Sequence, residues 1–155
     1  ARSLRGVGVQ ELEGLASQVR IAPYAHETLE YLKRMGYQLA IVSFAFRRVI
    51  NSAFPKGCFD FVVCPALHAK KDRFTGRVSI PRFASDRHVF SKGRAVRRLL
   101  SSLRIKPSEA IAVENAKSEE EMFREVGISV AINPERNVVS SVRVKTLPEL
   151  MIIAN

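Results

Sequence analysis

The sequence predicts an α/β protein in which a mostly parallel sheet is covered by helices on both faces. Short apolar runs typical of buried strands alternate with segments of helical periodicity. That alternation indicates right-handed crossover units between parallel strands. The 155 residues are 46% hydrophobic, which is enough to build one domain with its own core. No apolar run reaches the roughly 18 residues of a membrane helix, and the first residues do not resemble a signal segment.

The elements follow from the apolar spacing and from the residues that end each segment. Pro23 and Gly36 bracket a helix, and Ser91 begins another whose apolar residues recur at helical spacing. Ser118 and Glu121 have the spacing of a capping box, and Thr75-Gly76 suggests a hairpin turn within 73–80. We predict strands at 39–42, 61–64, 110–113, 128–132 and 142–144, and helices at 24–35, 47–54, 91–104, 118–126 and 148–151.

Polar residues directly follow two of the predicted strands. The segment 43–46 begins with Ser43, and the segment 114–117 begins with Glu114 and Asn115. In open parallel sheets, ligands bind at the carboxyl ends of the strands. We therefore expect any binding or catalytic site at these two loops.

The net charge of +10 is concentrated in one quarter of the chain. Residues 68–106 contain 12 lysines and arginines against two aspartates. One interpretation is a polyanion-binding patch, and the other is a solvated helix face next to a basic hairpin. The polyanion interpretation depends on five arginines: Arg82, Arg87, Arg94, Arg97 and Arg98. Aromatic residues are sparse in this stretch, so a platform for stacking single-stranded bases is not expected.

The cysteines and histidines indicate neither a disulfide framework nor a metal site. The two cysteines, Cys58 and Cys64, are expected to pack as small apolar groups in a reducing cytoplasm. The three histidines are scattered along the sequence without metal-ligand spacing, and we expect each to lie at the surface or to have its hydrogen bonds satisfied within the protein.

Four segments together resemble the haloacid dehalogenase superfamily, in particular its phosphoserine phosphatase-like branch. The segment PYAHETLEYLKRMGYQLAIVSFAF (23–46) resembles the helix and strand before the phosphate-binding serine of that branch. FTGRV (74–78) is similar to its hairpin, SKGRAVRRLL (91–100) to its lysine motif, and EAIAVENAKSEEEMFREVGISVAINP (109–134) to its last motif. The order and spacing of these segments cover the chain from about residue 4 to residue 134.

The resemblance implies a Rossmann-like core and hydrolysis of phosphomonoesters through a phospho-aspartate. Residues 21–155 would form the core, and residues 1–20 would be a remnant of a helical cap. Ser43 would hold the phosphate through its hydroxyl, the backbone N–H of Phe44 would assist, and Lys92 would neutralise charge. Acidic residues of the last motif would hold Mg²⁺. A lysine in the first turn of a helix also opposes the helix dipole unless an anion lies nearby, which independently favours this role for Lys92.

The sequence departs from that family in ways that bear on activity. No strand carries the Asp-x-Asp pair that would supply the nucleophile, and the chain has only three aspartates: Asp60, Asp72 and Asp86. The last motif has Glu114-Asn115 and Ser118-Glu119 where the family has Gly-Asp and Asn-Asp. Glu114, Asn115 and Glu119 therefore form only a degenerate metal set, and a structural role for the acids of 119–121 at a helix start is the alternative. Phe44-Ala45 replaces the usual glycines, which narrows the anion site.

The absent strand also creates a problem for the fold. The family places it between the strands that here end near Ser43 and Val113. Three explanations are open: the chain belongs to a longer polypeptide, the two strands pair directly, or a partner chain, such as a second copy, supplies a strand. A buried strand edge left unpaired costs on the order of 1–3 kcal/mol for each N–H or C=O group.

The sequence therefore predicts a phosphatase-like domain that is inactive as it stands and retains an anion site for phosphate or a phosphorylated small molecule. Two alternatives remain. One is a noncatalytic module that binds nucleic acid or a ribonucleoprotein through residues 68–106. The other is the C-terminal part of an active Mg²⁺-dependent phosphatase.

Overall fold

The computed structural model describes residues 2–115, 120–134 and 137–154. Strands and helices alternate through most of the chain, as expected for an α/β protein. The helices are α1 Val9–Ala16, α2 Ala25–Arg34, α3 Arg47–Ala53, α4 Lys92–Leu103, α5 Glu120–Phe123 and α6 Leu150–Ile153. The strands are β1 Ala40–Val42, β2 Phe61–Val63, β3 Ala66–Lys70, β4 Arg73–Ser79, β5 Ser85–Asp86, β6 Val89–Phe90, β7 Ile111–Glu114, β8 Ile128–Ile132 and β9 Val142–Val144. None of the described helices is long and apolar enough to cross a membrane.

The core strands form two parallel sheets. Strands β1 and β2 form one, hereafter the two-stranded sheet, in which Ala40 lies opposite Phe61. Strands β7, β8 and β9 form the other, in the order β7-β8-β9, hereafter the three-stranded sheet. The parallel pairing confirms the prediction from the alternating apolar runs and helices.

Among the described residues, β1 pairs with β2 and β7 pairs with β8, and no ladder joins β1 to β7. Direct pairing of these two strands, one of the three explanations for the absent strand, is therefore not what the chain adopts. The buried side chains form three clusters, and Val42 of β1 packs against two of them. One buried cluster contains Val63, Ala84, Phe90 and Ala95, a second contains Ala112, Met122, Phe123, Ala131 and Val138, and a third contains Val130, Val144 and Leu150.

Two antiparallel hairpins follow β2, and their turns correct the predicted hairpin. Strands β3 and β4 are joined by Lys71-Asp72, both with positive φ, which is typical of a two-residue type I′ turn. Thr75-Gly76, predicted as the turn, lies inside β4, and Gly76 has φ +79° in a hairpin whose register shifts at 67–69. A left-handed glycine within a strand is typical of a bulge, which explains the wrong assignment.

The amino-terminal segment lies against the first hairpin and α3. The Gly6 N–H donates to the Phe74 carbonyl, and the Val9 N–H donates to the Asp72 carbonyl at 2.9 Å. Helix α1 packs against α3, and Arg48 of α3 forms a surface ion pair with Glu13 of α1 at 2.6 Å. Because the hairpin directly follows β2 and α3 closely follows β1, the amino-terminal segment contacts elements that begin at the carboxyl ends of both strands.

Candidate functional site

The carboxyl ends of β1 and β7 meet at the first turn of α4. Helix α4 begins where the sequence predicts, because the Ser91 hydroxyl accepts a hydrogen bond from the Arg94 N–H at 3.1 Å. The apolar face of α4 turns toward the sheets, and this orientation buries Lys92 at 4% exposure. The side chain of Lys92 is therefore held between the two strand ends.

The Lys92 ammonium contacts both strand ends. Its Nζ donates to Glu114 Oε1 at 2.8 Å, and it lies 5.4 Å from the centroid of the Phe44 ring. The Phe44 ring also packs edge-on against Phe90, with centroids 5.4 Å apart. The ring thus covers one side of the ammonium while the Glu114 carboxylate compensates its charge.

Ser43 ends β1 in a local turn. Its N–H donates to the Val63 carbonyl, and its Oγ accepts from the Ala45 N–H at 3.1 Å. That acceptor role is the turn function expected of a serine after a strand. The hydroxyl hydrogen takes no part in this bond, so the Ser43 side chain keeps a donor for an anion. The geometry brings Phe44 and Lys92 together, and Ser43 directly precedes Phe44 in the chain.

Glu121 holds the start of α4, which the sequence did not predict. Its Oε1 accepts from the Lys92 N–H at 2.8 Å, and its Oε2 accepts from the Ser91 hydroxyl at 2.9 Å. A carboxylate at this position satisfies an unpaired helix N–H and interacts favourably with the helix dipole. Glu120 instead accepts from the Val139 N–H at 2.9 Å. Both acids lie in the first turn of α5, as predicted, although their carboxylates accept hydrogen bonds from other elements. Ser118, the predicted partner of Glu121 in a capping box, lies outside the described residues.

The structure describes two of the three residues predicted to hold a metal, Glu114 and Asn115. Glu114 is half-buried and bound to Lys92, and Asn115 is an exposed amide without charge. Glu119 lies outside the described residues. Among the residues that the structure describes, no group of three His, Cys, Asp or Glu side chains is close enough to hold a metal ion. Since Mg²⁺ prefers several hard anionic oxygens, Glu114 and Asn115 do not fit it by themselves.

The aspartates of the chain do not supply a nucleophile at this edge. Asp60 accepts from the Leu39 N–H at 2.7 Å, immediately before β1 and therefore at the opposite end of that strand. This hydrogen bond, followed by the interaction with Lys33, lowers the pKa of the Asp60 carboxyl. Asp72 and Asp86 are exposed residues of the two hairpins.

The five arginines of the proposed polyanion patch are exposed, but acidic residues lie among them. Arg97 forms a two-bond ion pair with Glu125, with Nε at 2.8 Å from Oε2, and the pair lowers the pKa of the Glu125 carboxyl. Arg94 and Arg97 line a polar cleft of about 300 Å³ together with Asp86, Glu121 and Glu125. Arg87 occupies the turn between β5 and β6 with positive φ. The geometry therefore does not support a uniformly basic surface around α4.

The remaining predictions for individual residues agree with the structure. Cys64 is buried and Cys58 is half-buried, neither forms a disulfide, and burial raises the pKa of the Cys64 thiol. His26, His68 and His88 are exposed, and the His26 ring lies 6.0 Å from that of Phe54.

The site is thus a cation held at the carboxyl edge of a Rossmann-like α/β fold. A haloacid dehalogenase-like hydrolase model matches residues 5–127. The chain belongs to that family of hydrolases, as the four sequence segments predicted.

Two curated relatives that match this chain are phosphoserine phosphatases. A phosphoserine phosphatase of Campylobacter jejuni subsp. doylei is 30% identical over 128 residues, which are 83% of this chain and 60% of the relative. One from Streptomyces coelicolor is 28% identical over 130 residues, 84% of this chain and 31% of the relative. The chain therefore spans between about a third and three fifths of these relatives.

Solved structures share the fold at lower sequence identity. An apo phosphoserine phosphatase superposes with a TM-score of 0.82 at 21% identity. The match covers 96% of this chain and 74% of the phosphatase chain. A probable phosphoserine phosphatase from Vibrio cholerae superposes with a TM-score of 0.84 at 18% identity. That match covers 99% of this chain and 48% of the Vibrio chain. The fold is that of phosphatases of this branch.

Proposed function

We propose that residues 1–155 form a phosphatase-like domain that binds phosphate or a phosphorylated small molecule and does not hydrolyse it. The observation that carries the proposal is the buried ammonium of Lys92 at the carboxyl ends of β1 and β7. A buried cation at this position serves an anion that arrives at the strand ends, as ligands of open parallel sheets do. The phosphoserine phosphatases among the relatives support a phosphomonoester as the ligand class.

The anion would be held by three groups. The Ser43 hydroxyl donates its free hydrogen, the Phe44 N–H supplies a backbone donor, and Lys92 supplies charge. Glu114 competes for the same ammonium at 2.8 Å, so phosphate has to share or displace that contact. We therefore expect phosphate to bind weakly, with a dissociation constant in the millimolar range.

The expected lack of turnover follows from the donor set. Phosphoryl transfer depends on a positioned nucleophile and on charge neutralisation. Asp60 lies at the wrong end of β1, and Glu114 and Asn115 do not fit Mg²⁺ by themselves. Residues 1–155 are therefore expected to bind the phosphate group without forming a phospho-aspartate.

Two measurements test the proposal. Titration of inorganic phosphate into ¹⁵N-labelled protein is expected to shift the amide resonances of residues 43–45 and 92, and Ser43→Ala is expected to weaken the response. Ser52→Ala is the matched control, since Ser52 is an exposed serine on α3. Absence of shifts at these amides contradicts the anion site.

The second measurement is hydrolysis of phosphoserine and of an aryl phosphate with and without Mg²⁺. We expect no turnover above the buffer rate. Mg²⁺-dependent turnover that Asn115→Ala abolishes would overturn the inactive assignment, because it would show that the altered last motif still holds the metal.

A further inference from the structure

The aromatic ring of Phe44 lies beside the cation of the candidate site. The centroid of the ring is 5.4 Å from the Lys92 ammonium, and the ring packs against Phe90 at an interplanar angle of 78°. Both neighbours are buried, Phe90 at 5% and Lys92 at 4% exposure, whereas Phe44 is 50% exposed. The ring is therefore held by buried groups while half of the residue's surface stays open to solvent.

A ligand bound at the proposed anion site has this ring as a neighbour. The backbone N–H of Phe44 is one of the three proposed donors, and the other two are the hydroxyl of Ser43, which directly precedes it, and the ammonium of Lys92, which faces its ring. When these groups hold a phosphate, the substituent on the ester oxygen comes into contact with the exposed part of the ring. The Phe44 side chain is thus placed to act on the alcohol half of a phosphate ester.

The surroundings of the ring favour an aromatic substituent over the head group of phosphoserine. Two aromatic rings attract each other in edge-on or offset-stacked contacts beyond what their buried area contributes. The α-ammonium of phosphoserine would instead approach the Lys92 ammonium, which has the same charge. The Glu114 carboxylate, which could pair with that α-ammonium, is already bonded to Lys92 at 2.8 Å. The α-carboxylate would lose water against a phenyl ring that donates no hydrogen bond in return.

We infer that this site prefers phosphomonoesters of aromatic alcohols, in which the ester oxygen is bonded directly to the ring, and that Phe44 is the residue that determines this preference. In such an ester the phosphate and the ring are adjacent, as the Lys92 ammonium and the Phe44 ring are in the site. In a nucleotide, a sugar separates the aromatic base from the phosphate, so the two contacts are farther apart. The inference rests on the proposed function, because the phosphate group has to bind before the ring of the ester can reach Phe44.

The first test compares three ligands in titrations of the ¹⁵N-labelled protein: inorganic phosphate, phenyl phosphate and O-phosphoserine. The amide resonances of residues 43–45 and 92 report binding. We expect phenyl phosphate to bind at least about tenfold more tightly than phosphoserine, which corresponds to about 1.4 kcal/mol. Equal affinities for the two esters overturn the inference, and shifts with inorganic phosphate then leave the proposed function standing. If inorganic phosphate shifts none of these amides, the proposed function fails and the inference fails with it.

Three variants test whether Phe44 is the source of the preference. Phe44→Leu keeps an apolar side chain without a ring, and the ratio of the two ester affinities is expected to fall below about threefold. Phe44→Tyr restores a ring and is expected to restore the ratio. Phe83→Leu is the matched control, because Phe83 is 45% exposed and lies in the short helical turn 82–84. A ratio in Phe44→Leu as high as in the unmodified protein assigns the preference to another residue and overturns the inference.

Two further ligands define what the site recognises. Phenol lacks the phosphate and is expected to leave the four amides unshifted at the concentrations used for phenyl phosphate. Shifts equal to those with phenyl phosphate would show that the ring binds without the anion, which overturns the inference. N-acetyl-O-phosphotyrosine amide distinguishes two sources of an aryl phosphate. Tighter binding than phenyl phosphate supports a phosphotyrosine residue as the ligand, and weaker binding that still exceeds that of phosphoserine supports a free small molecule.

Discussion

The three-stranded sheet and the two-stranded sheet differ in how completely their residues are buried. In the three-stranded sheet, β8 has a neighbour on each side, and Val130 and Ala131 are 0% exposed. In the two-stranded sheet, β1 pairs with one described neighbour, Ala40 is exposed, and Val63 of β2 is the one buried residue of the six. The difference shows that apolar composition alone does not bury a strand, because β1 is as apolar as β8.

Helices connect the two-stranded sheet to the three-stranded sheet. Helix α4 contacts β1, helix α5 contacts β7, and α4 and α5 pack on each other. The link between the two sheets therefore runs through the helix layer and through the bonds of Glu121 to Ser91 and Lys92, not through a ladder of strand hydrogen bonds.

Matched valine truncations are expected to give the largest contrast. Val130→Ala removes two buried methyl groups from the centre of the three-stranded sheet and leaves a closed cavity, at a cost of about 2.5 kcal/mol. Val42→Ala removes the same groups next to the groove of about 900 Å³ that lies between the two parallel sheets, where we expect a cost of about 1 kcal/mol. Urea unfolding measures both losses of unfolding free energy, provided that the dependence of this free energy on urea concentration has the same slope in both variants. Equal losses would show that the two sheets are equally well packed.

Matched glycine substitutions test the link. A Cβ on Gly93 would lie 2.8 Å from the backbone oxygen of Glu121, so Gly93→Ala forces α4 and α5 apart, at about 2 kcal/mol. Gly14→Ala in α1 meets nothing within 4 Å and is expected to stabilise by about 0.5–1 kcal/mol. Thermal unfolding of both variants is the measurement. An unchanged melting temperature in Gly93→Ala would show that α4 and α5 can move apart at little cost in stability.

The sequence predicts the three-stranded sheet closely because its strands are apolar β-branched runs bounded by polar residues. Strands 128–132 and 142–144 occur with the predicted bounds. The first hairpin was misplaced because its turn residues, Lys71-Asp72, are not glycine, while Gly76 is a bulge within the strand. Left-handed backbone at a lysine is set by the pairing of the flanking strands, which local propensity does not contain.

The positions of Lys92 and Ser43 could be predicted from the sequence, but the partners of Lys92 could not. Lys92 follows from the helix start at Ser91, and Ser43 follows from the end of an apolar strand. The bonds to Glu114 and Glu121 join residues 22 and 29 positions apart, and only the packing of α4 brings them together. The available signal is the pattern of acids after the third core strand, for which the resemblance implies a degenerate metal set and the position at a helix start implies a structural role.

Removing the charge of Glu114 is expected to strengthen phosphate binding about tenfold, or about 1.4 kcal/mol. The carboxylate comes from the three-stranded sheet and neutralises the cation that an anion needs. Glu114→Gln keeps an acceptor oxygen for Lys92 and removes the repulsion. Glu30→Gln on α2 is the control for net charge, since Glu30 is exposed. Phosphate titrations followed by ¹⁵N shifts measure the affinities, and an unchanged affinity in Glu114→Gln would show that Glu114 does not compete with the anion.

The smallest expected effect is the acid sensitivity of the two-stranded sheet. The Leu39 N–H, and after it Lys33, lower the pKa of Asp60 below its usual value of 3.8. A carboxyl whose pKa is lower in the folded state stabilises the protein above the unfolded pKa, and this contribution is lost as pH falls below about 5 through the folded pKa. Asp60→Asn is therefore expected to flatten the acid side of the plot of unfolding free energy against pH. Because the Asp60 side chain is 38% exposed, solvent screens the pair with Lys33, and 1 M salt is expected to remove that part while the backbone hydrogen bond remains. If unfolding free energy falls equally steeply with acid in Asp60→Asn and in the unmodified chain, the hydrogen bond between Asp60 and the Leu39 N–H does not stabilise the two-stranded sheet. The helices alone would then hold β1 in place.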